Sequence, residues 1–340
     1  MHLLLVADDP ALADPGSSAF ARHAHYAAAL AARRPGALLS VLAPGVRAPI
    51  VRGGLCILGA PPSDRPDAVS AQAPWRATAW RIALAARVPF LAQLHFDPFA
   101  PGHGAAGHAR RLLARLAARR AARLRVMAPA TADAVAERWA IGRERIWVAP
   151  VPIRLAGARA ARETLVVGAM RLVPERTPSD WIAAARRIAA ARPGVRFVLA
   201  GGGPLHAALR AEARGLALDL PGHLAPPALE ALLARAALFL HTARHEAFGR
   251  AMAEALGAGC PVVARPTTGA CSIVRDGATG ILAASDDGLV GAALSLLDDP
   301  ARRAAMGDAA RADAGCRFAP EAMCARVVDF LLGERACASS

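Results

Sequence analysis

The chain has 340 residues, of which 55% are apolar, and a formal net charge of +14. That length allows two domains with separate cores, and the apolar share excludes a disordered chain. All 41 basic residues are arginine, and the absence of lysine excludes pyridoxal phosphate chemistry and Walker-type phosphate loops.

The charge is uneven. Residues 1–160 carry 21 arginines against 9 acidic residues, a net of +12; residues 161–340 carry 20 against 18, a net of +2. A basic first half points to an anionic partner such as a phospholipid surface, a lipid phosphate or nucleic acid.

The opening MHLLLVADDP has no basic leader, and Asp8 and Asp9 end its apolar run. It reads as a first strand, His2 to Ala7, rather than a signal peptide. No stretch of about 18 apolar residues is free of charge, so no spanning helix is expected. Six scattered cysteines without a CxxC pair suit free thiols in a reducing cytoplasm.

After the strand, Asp8 to Ser18 reads as a loop. Gly16 and Ser17 precede a helix, Ala19 to Arg34, where backbone N–H groups could meet a phosphate and where Ser17 could equally be a plain N-cap. Leu38 to Leu42 is strand-like, and Ala60 to Pro74 is proline-rich and reads as a loop. Trp75 to Arg87 is helical, Val88 to Leu94 a strand, and Ala105 to Arg123 a helix. Leu124 to Met127 and Ile146 to Ala149 are strand-like. This alternation predicts a parallel doubly wound sheet, which binds ligands beyond the carboxyl ends of its strands. His95 stands at one such end, in QLHFD, as a ligand contact or a structural histidine. Arg110 to Arg125 holds seven arginines with interleaved leucines, a solvated helix face or an anionic-surface binder. The run contains no aromatic residue that would stack on bases.

Periodicity lapses at residues 152 to 162, which predicts a linker there. We place a first domain at 1–156, a second at 157–319 and a terminal helix and tail at 320–340. The second begins with a strand at Thr164 to Gly168, followed by Arg171 and Arg176, whose guanidiniums suit a diphosphate. A helix runs to Arg192, and a strand, Arg196 to Ala200, ends in Gly201-Gly202-Gly203-Pro204. That is not the GxGxxG dinucleotide fingerprint. Leu205 to Arg214 and Pro227 to Arg235 are helical. Ala237 to Leu240 then reads as a strand, His241 to His245 as a turn, Ala247 to Ala258 as a helix ended by Gly259, and Cys260 to Ala264 as a strand. On that reading Glu246 and Glu254 lie eight residues apart at a rise of 1.5 Å each, about 12 Å along one helix. That is too far to flank one bond. Helices at Asp286 to Leu297, Pro300 to Arg311 and Pro320 to Leu332 follow, and residues 334–340 read as a frayed tail.

The second half resembles the nucleotide-sugar domain of family-four retaining glycosyltransferases (glycosyl transferases group 1). The matching pieces, in order, are Arg171 to Arg176, Gly201 to Pro204, Pro221-Gly222-His223-Leu224, Glu246-Ala247-Phe248-Gly249 with Glu254-Ala255, Gly259 to Ala264, and Asp276-Gly277 with Thr279-Gly280. The first half is similar mostly in layout, with His95 its best local match. The resemblance implies the α/β GT-B architecture: two Rossmann-like doubly wound domains facing each other across a cleft. It also implies roles. Glu246 would hold the donor sugar, Glu254 the ribose hydroxyls, and Arg171 and Arg176 the departing diphosphate. Ala247 and the amides of Phe248 and Gly249 would meet sugar or phosphate. Gly202, His223 and Leu224 would border the nucleotide, and His95 would approach the sugar from the first domain.

The implied partners are a UDP- or GDP-sugar as co-substrate, a lipid-linked or anionic acceptor, and an anionic membrane touched peripherally from the cytoplasmic face. No metal, further cofactor or nucleic acid is expected. Arg176 stands where the family usually has lysine, and Ser272 where it often has glutamate. A sugar-nucleotide epimerase or hydrolase on the same fold, and a non-catalytic sugar-nucleotide binder, remain as alternatives.

Overall fold

The computed structural model describes residues 1–99, 104–155 and 160–334. Parts of the predicted linker and tail (residues 156–159 and 335–340) lie outside them. The chain divides into two units, Met1–Pro152 joined by the segment from Glu321 onward, and Ile153–Pro320.

Unit 1 is built on β1 (His2–Val6), β2 (Leu38–Leu42), β3 (Ile50–Arg52), β4 (Leu55–Leu58), β5 (Ala68–Ala71), β6 (Phe90–Leu94), β7 (Arg123–Val126) and β8 (Ile146–Val148). They form one sheet in the order β3-β4-β2-β1-β5-β6-β7-β8. All its pairs are parallel except β3 with β4. Helices α1 (Ser18–Arg33), α2 (Ala77–Ala86), α3 (Gly104–Arg120) and α4 (Pro129–Trp139) make the connections. Two cores result. One, around Phe20, Tyr26 and Leu39, also takes in Val327, Phe330 and Leu331 of the last helix. The other packs Ala79, Ala83 and Ala114 with Ala92 and Leu94 of β6.

Three features of this unit escape the sequence reading. β5 lies inside the stretch read as a proline-rich loop. Its residues, Ala-Val-Ser-Ala, are all buried, but they are short and mostly unbranched, so they carry little strand signal. The β3–β4 hairpin and α4 carry no predicted element either.

Unit 2 repeats the plan. Its strands are β9 (Leu165–Ala169), β10 (Arg196–Ala200), β11 (Leu218–Asp219), β12 (Leu238–His241), β13 (Val262–Ala264) and β14 (Gly280–Leu282). They pair in parallel in the order β11-β10-β9-β12-β13-β14. The helices are α5 (Pro178–Ala191), α6 (His206–Glu212), α7 (Pro226–Arg235), α8 (Arg250–Gly257), α9 (Thr268–Ile273), α10 (Asp286–Asp298) and α11 (Pro300–Phe318); the last helix, α12 (Pro320–Leu332), belongs to unit 1 from Glu321 onward. Trp181 of α5 is fully buried and donates from Nε1 to the Leu240 carbonyl at 3.0 Å. A Cβ at Gly168 would come within 2.4 Å of that indole nitrogen. A glycine in β9 therefore lets α5 sit close, and this fixes the loop that precedes α5.

Burial pulls the pKa of His23 down to about 3 and that of His241 to about 4, from an ordinary 6.5. Both groups bind a proton more readily when unfolded, so stability is held above pH 6.5 and lost as pH falls toward these values. Urea unfolding compared at pH 7 and pH 5 should show a loss of roughly 2 kcal/mol for each such histidine. His23→Gln should remove its share, and an unchanged pH difference in that variant would contradict the assignment.

Candidate functional site

The carboxyl ends of β9, β10 and β12 gather the polar groups of unit 2. After β9 the chain turns through Arg171, and a short 3-10 turn, Pro174–Arg176, leads into α5. Thr177 sits between them with φ of 45°, a left-handed value that a β-branched residue adopts only when its surroundings impose it.

Arg176 is half-buried and donates from Nη1 to Glu246 Oε2 at 2.5 Å and to the His245 carbonyl at 2.9 Å. Arg171, by contrast, is exposed, and its side chain has no ion pair or hydrogen bond among the described residues. The two arginines thus differ. Arg176 anchors a carboxylate, while Arg171 keeps a free guanidinium at the strand end.

Glu246 does not stand on a helix. The predicted helix from Ala247 starts only at Arg250, because Gly249 adopts φ of 87° and ends the preceding loop. The two glutamates are therefore not two points on one helix axis, and the 12 Å reading is corrected. Glu246 lies on the loop after β12. Its carbonyl accepts from the Gly269 amide at 2.8 Å, which ties that loop to α9. Glu254 lies within α8, pairs with Arg250 Nε at 3.3 Å, and has a pKa raised by burial.

Ala247 and Phe248 are buried. The Phe248 ring meets Phe318 edge to face at 5.9 Å, so its side chain serves the core. The amides of Phe248 and Gly249 have no partner among the described residues. A Cβ at Gly269 would fall 2.5 Å from the Phe248 carbonyl, so this loop packs directly on the start of α9.

Gly201 and Gly203 hold φ of 148° and 156° beside the loop after β9. A Cβ at Gly201 would lie 1.7 Å from the Met170 carbonyl, which explains the glycine run without any phosphate. Gly202 accepts from the Leu172 amide at 2.9 Å and faces His223, with 3.8 Å from its would-be Cβ to His223 Cβ. His223 is exposed and Leu224 half-buried. The geometry therefore brings together Arg176 with Glu246, and Gly202 with His223.

Three further polar residues lie in this region: His241, which beside His245 and Glu246 could suggest a metal ligand in the sequence but lies at a strand end rather than on a helix, and Thr177 and Thr242. His241 ends β12, is 2% exposed, and has no hydrogen-bond partner for either ring nitrogen among the described residues. Its Nε2 lies 3.8 Å from Glu246 Oε2. The hydroxyls of Thr177 and Thr242 are also buried, without partners among the described residues. Orphaned polar groups of this kind are costly to bury and cluster where a ligand or water completes them. Sequence spacing gives no hint of them.

In unit 1, Ser17 is the N-cap of α1: its Oγ accepts from the Phe20 amide at 3.0 Å and donates to the Ala11 carbonyl. The Gly16 amide is held by Asp14 Oδ1 at 2.9 Å. Both groups are thus engaged, and a carboxylate sits where a phosphate was envisaged. His95 follows β6, with neighbouring atoms packed around its ring and an open outer side. Its Nε2 lies 3.1 Å from Gln93 Oε1.

Residues 156–313 match the family model of glycosyl transferases group 1. A GDP-mannose-dependent monoacylated alpha-(1-6)-phosphatidylinositol monomannoside mannosyltransferase of Corynebacterium glutamicum is 33% identical over 174 residues, covering 48% of this chain and 46% of that protein. A GDP-mannose-dependent alpha-(1-6)-phosphatidylinositol dimannoside mannosyltransferase of Mycobacterium tuberculosis is 35% identical over 113 residues, 33% of this chain and 30% of that protein. The chain thus matches about half the length, or less, of these curated relatives.

Among solved structures, HepE of Anabaena in complex with UDP and glucose superposes with a TM-score of 0.74 at 19% identity, covering 98% of this chain and 100% of that one. Sucrose-phosphate synthase from Thermosynechococcus elongatus gives 0.79 at 18% identity, covering 96% and 97%. The chain has the α/β fold class of these glycosyltransferases, and within it unit 2 resembles the glycosyl transferases group 1 family.

Proposed function

We propose that this chain is a retaining, metal-independent glycosyltransferase that moves a sugar from a UDP- or GDP-sugar to a lipid-linked acceptor. The observation that carries the reading is the Arg176–Glu246 pair at the carboxyl ends of β9 and β12, inside the segment that matches the group 1 model. Ligands of open parallel sheets bind at these ends. A carboxylate fixed by a guanidinium offers its remaining lone pairs to sugar hydroxyls. Glu254 takes the ribose, and Arg171, without a side-chain partner among the described residues, takes the diphosphate charge that grows as the bond breaks. The names of the curated relatives make GDP-mannose the first donor to try and a phosphatidylinositol mannoside the first acceptor.

The acceptor reading draws on unit 1. Trp80 and Leu84 on α2 and Leu112, Leu113 and Leu116 on α3 are all exposed. The Arg120 guanidinium lies 6.0 Å from the Trp80 ring, so arginine and apolar side chains share this face. Such a surface suits peripheral attachment to an anionic bilayer, where apolar side chains enter the headgroup layer and arginines meet lipid phosphates. Among the described residues, no helix is long and apolar enough to cross a membrane.

Incubation with GDP-mannose and with a panel of UDP-sugars, in the presence of lipid extract, should release nucleoside diphosphate and label a lipid. No turnover with any donor would overturn the reading. Glu246→Gln should lower turnover by roughly a hundredfold with the fold intact; full activity would remove that residue from the site. In co-sedimentation with vesicles rich in phosphatidylserine, replacing both Leu112 and Leu116 by serine should weaken binding at least about tenfold. Equal sedimentation of variant and parent would exclude this face.

A further inference from the structure

Arg125 is an arginine with no exposed surface, and no acid pairs with it among the described residues. It donates from Nε to the Ala149 carbonyl at 2.6 Å, from Nη2 to the Pro150 carbonyl at 3.0 Å, and from Nη1 to Gln93 Oε1 at 2.7 Å. Its guanidinium also lies 5.9 Å from the Tyr26 ring. A guanidinium can only donate. The Gln93 atom facing it is therefore the amide oxygen, and the Gln93 nitrogen turns to Ser70 Oγ at 2.8 Å. Gln93 and Ser70 are themselves buried, at 0% and 2% exposure.

This chain of bonds reaches His95. Its Nε2 lies 3.1 Å from the same Gln93 oxygen. Two acceptors cannot bond each other, so Nε2 carries the ring proton. Nδ1 is left with a lone pair and has no partner among the described residues. A second proton on the ring is opposed by burial first, then by the charge of Arg125, with Arg22 and His23 adding to it; together they hold the His95 pKa well below its ordinary range. His23 has the opposite tautomer. Its Nδ1 donates to the Ala19 carbonyl at 2.8 Å, which leaves Nε2 to accept from Gln72 at 2.9 Å.

We infer that Arg125, acting through Gln93, holds His95 as the Nε2–H tautomer, so that its Nδ1 accepts a hydrogen bond from a hydroxyl group of the substrate. Arg125 and Gln93 are positioning residues, since neither is exposed enough to touch a ligand. The ligand class follows from the lone pair. A sugar hydroxyl can donate to it, whereas a phosphate or carboxylate would need a protonated ring. The hydroxyl contact rests on the reading of His95 as part of the substrate site; the tautomer does not.

The test is long-range proton–nitrogen NMR of the full chain labelled with nitrogen-15 histidine at pH 7. Loss of a signal pair in His95→Gln assigns the ring. We expect one pyrrole-type nitrogen at Nε2 and one pyridine-type nitrogen at Nδ1. Either the reverse pattern or an imidazolium would overturn the inference. In Gln93→Met the two nitrogens should move toward averaged values as tautomers mix, and kcat should fall about tenfold while KM for GDP-mannose changes little. An unmoved His95 spectrum in that variant would also overturn the inference. Should Gln93→Met fail to fold, Arg125→Met carries the same expectation, because an unanchored amide is free to flip. A shifted tautomer with transfer unaltered would overturn the hydroxyl contact alone and leave the relay standing. Absence of transfer in the parent protein, with the expected tautomer present, would count against the glycosyltransferase reading and not against the relay.

Discussion

The polar end of unit 2 depends on one bond between Arg176 and Glu246. It joins the loop after β9 to the loop after β12 across the middle of the sheet. Neither group is fully exposed, so each would pay a desolvation cost without the other. Arginine suits the task better than lysine would. Its planar head reaches the Glu246 carboxylate and the His245 carbonyl from one nitrogen, while its other N–H groups stay available. Burial of Trp181 against Gly168 sets where α5 starts and so where Arg176 stands. A packing contact in the sheet interior thereby fixes the position of a charged group at its rim.

Much of this was legible in the sequence because both units announce themselves by alternation. β1, β2 and β10, whose residues are branched or long, have nearly the bounds that periodicity predicts. The loss of β5 shows the limit. Alanine and serine form a strand there because both faces are covered, and such burial is a tertiary fact that four residues cannot encode. The start of α8 was misplaced for a local reason: Gly249 was read as helical and instead takes a left-handed conformation. That one residue separates Glu246 from the helix and changes what the pair of glutamates can do.

Polar networks were the least legible. Arg125 sits in a run of seven arginines, and nothing in that run sets it apart from the other six. Only the fold shows that it points into unit 1 beneath β6, while Arg119 and Arg120 face solvent. The same holds for His241 and Thr242. Their side chains are orphaned by burial at a strand end, a property of their surroundings rather than of their spacing.

The two units treat buried arginine differently, and the difference bears on function. In unit 2, Arg265 is 7% exposed and pairs with Asp286, besides donating to the Thr242 and Ala284 carbonyls. Its charge is neutralised where it lies. In unit 1, Arg125 is met, among the described residues, by carbonyl and amide oxygens alone. Dipoles stabilise such a cation but leave its net charge, which acts further in a low-dielectric interior than in water. The potential beneath the strand ends of unit 1 therefore stays positive. It adds to burial, the larger cause, in keeping His23 and His95 uncharged, and it forms part of the excess of arginine over acid in the first 160 residues. A histidine held neutral beside an electropositive surface can bind hydroxyls at its ring while the surface draws in a phosphate-bearing acceptor. Protonation of that same ring would gain an anion contact and lose the acceptor atom. On the proposed reading, an arginine with no acidic partner among the described residues would separate two tasks, hydroxyl recognition at His95 and anion attraction at the arginines around it.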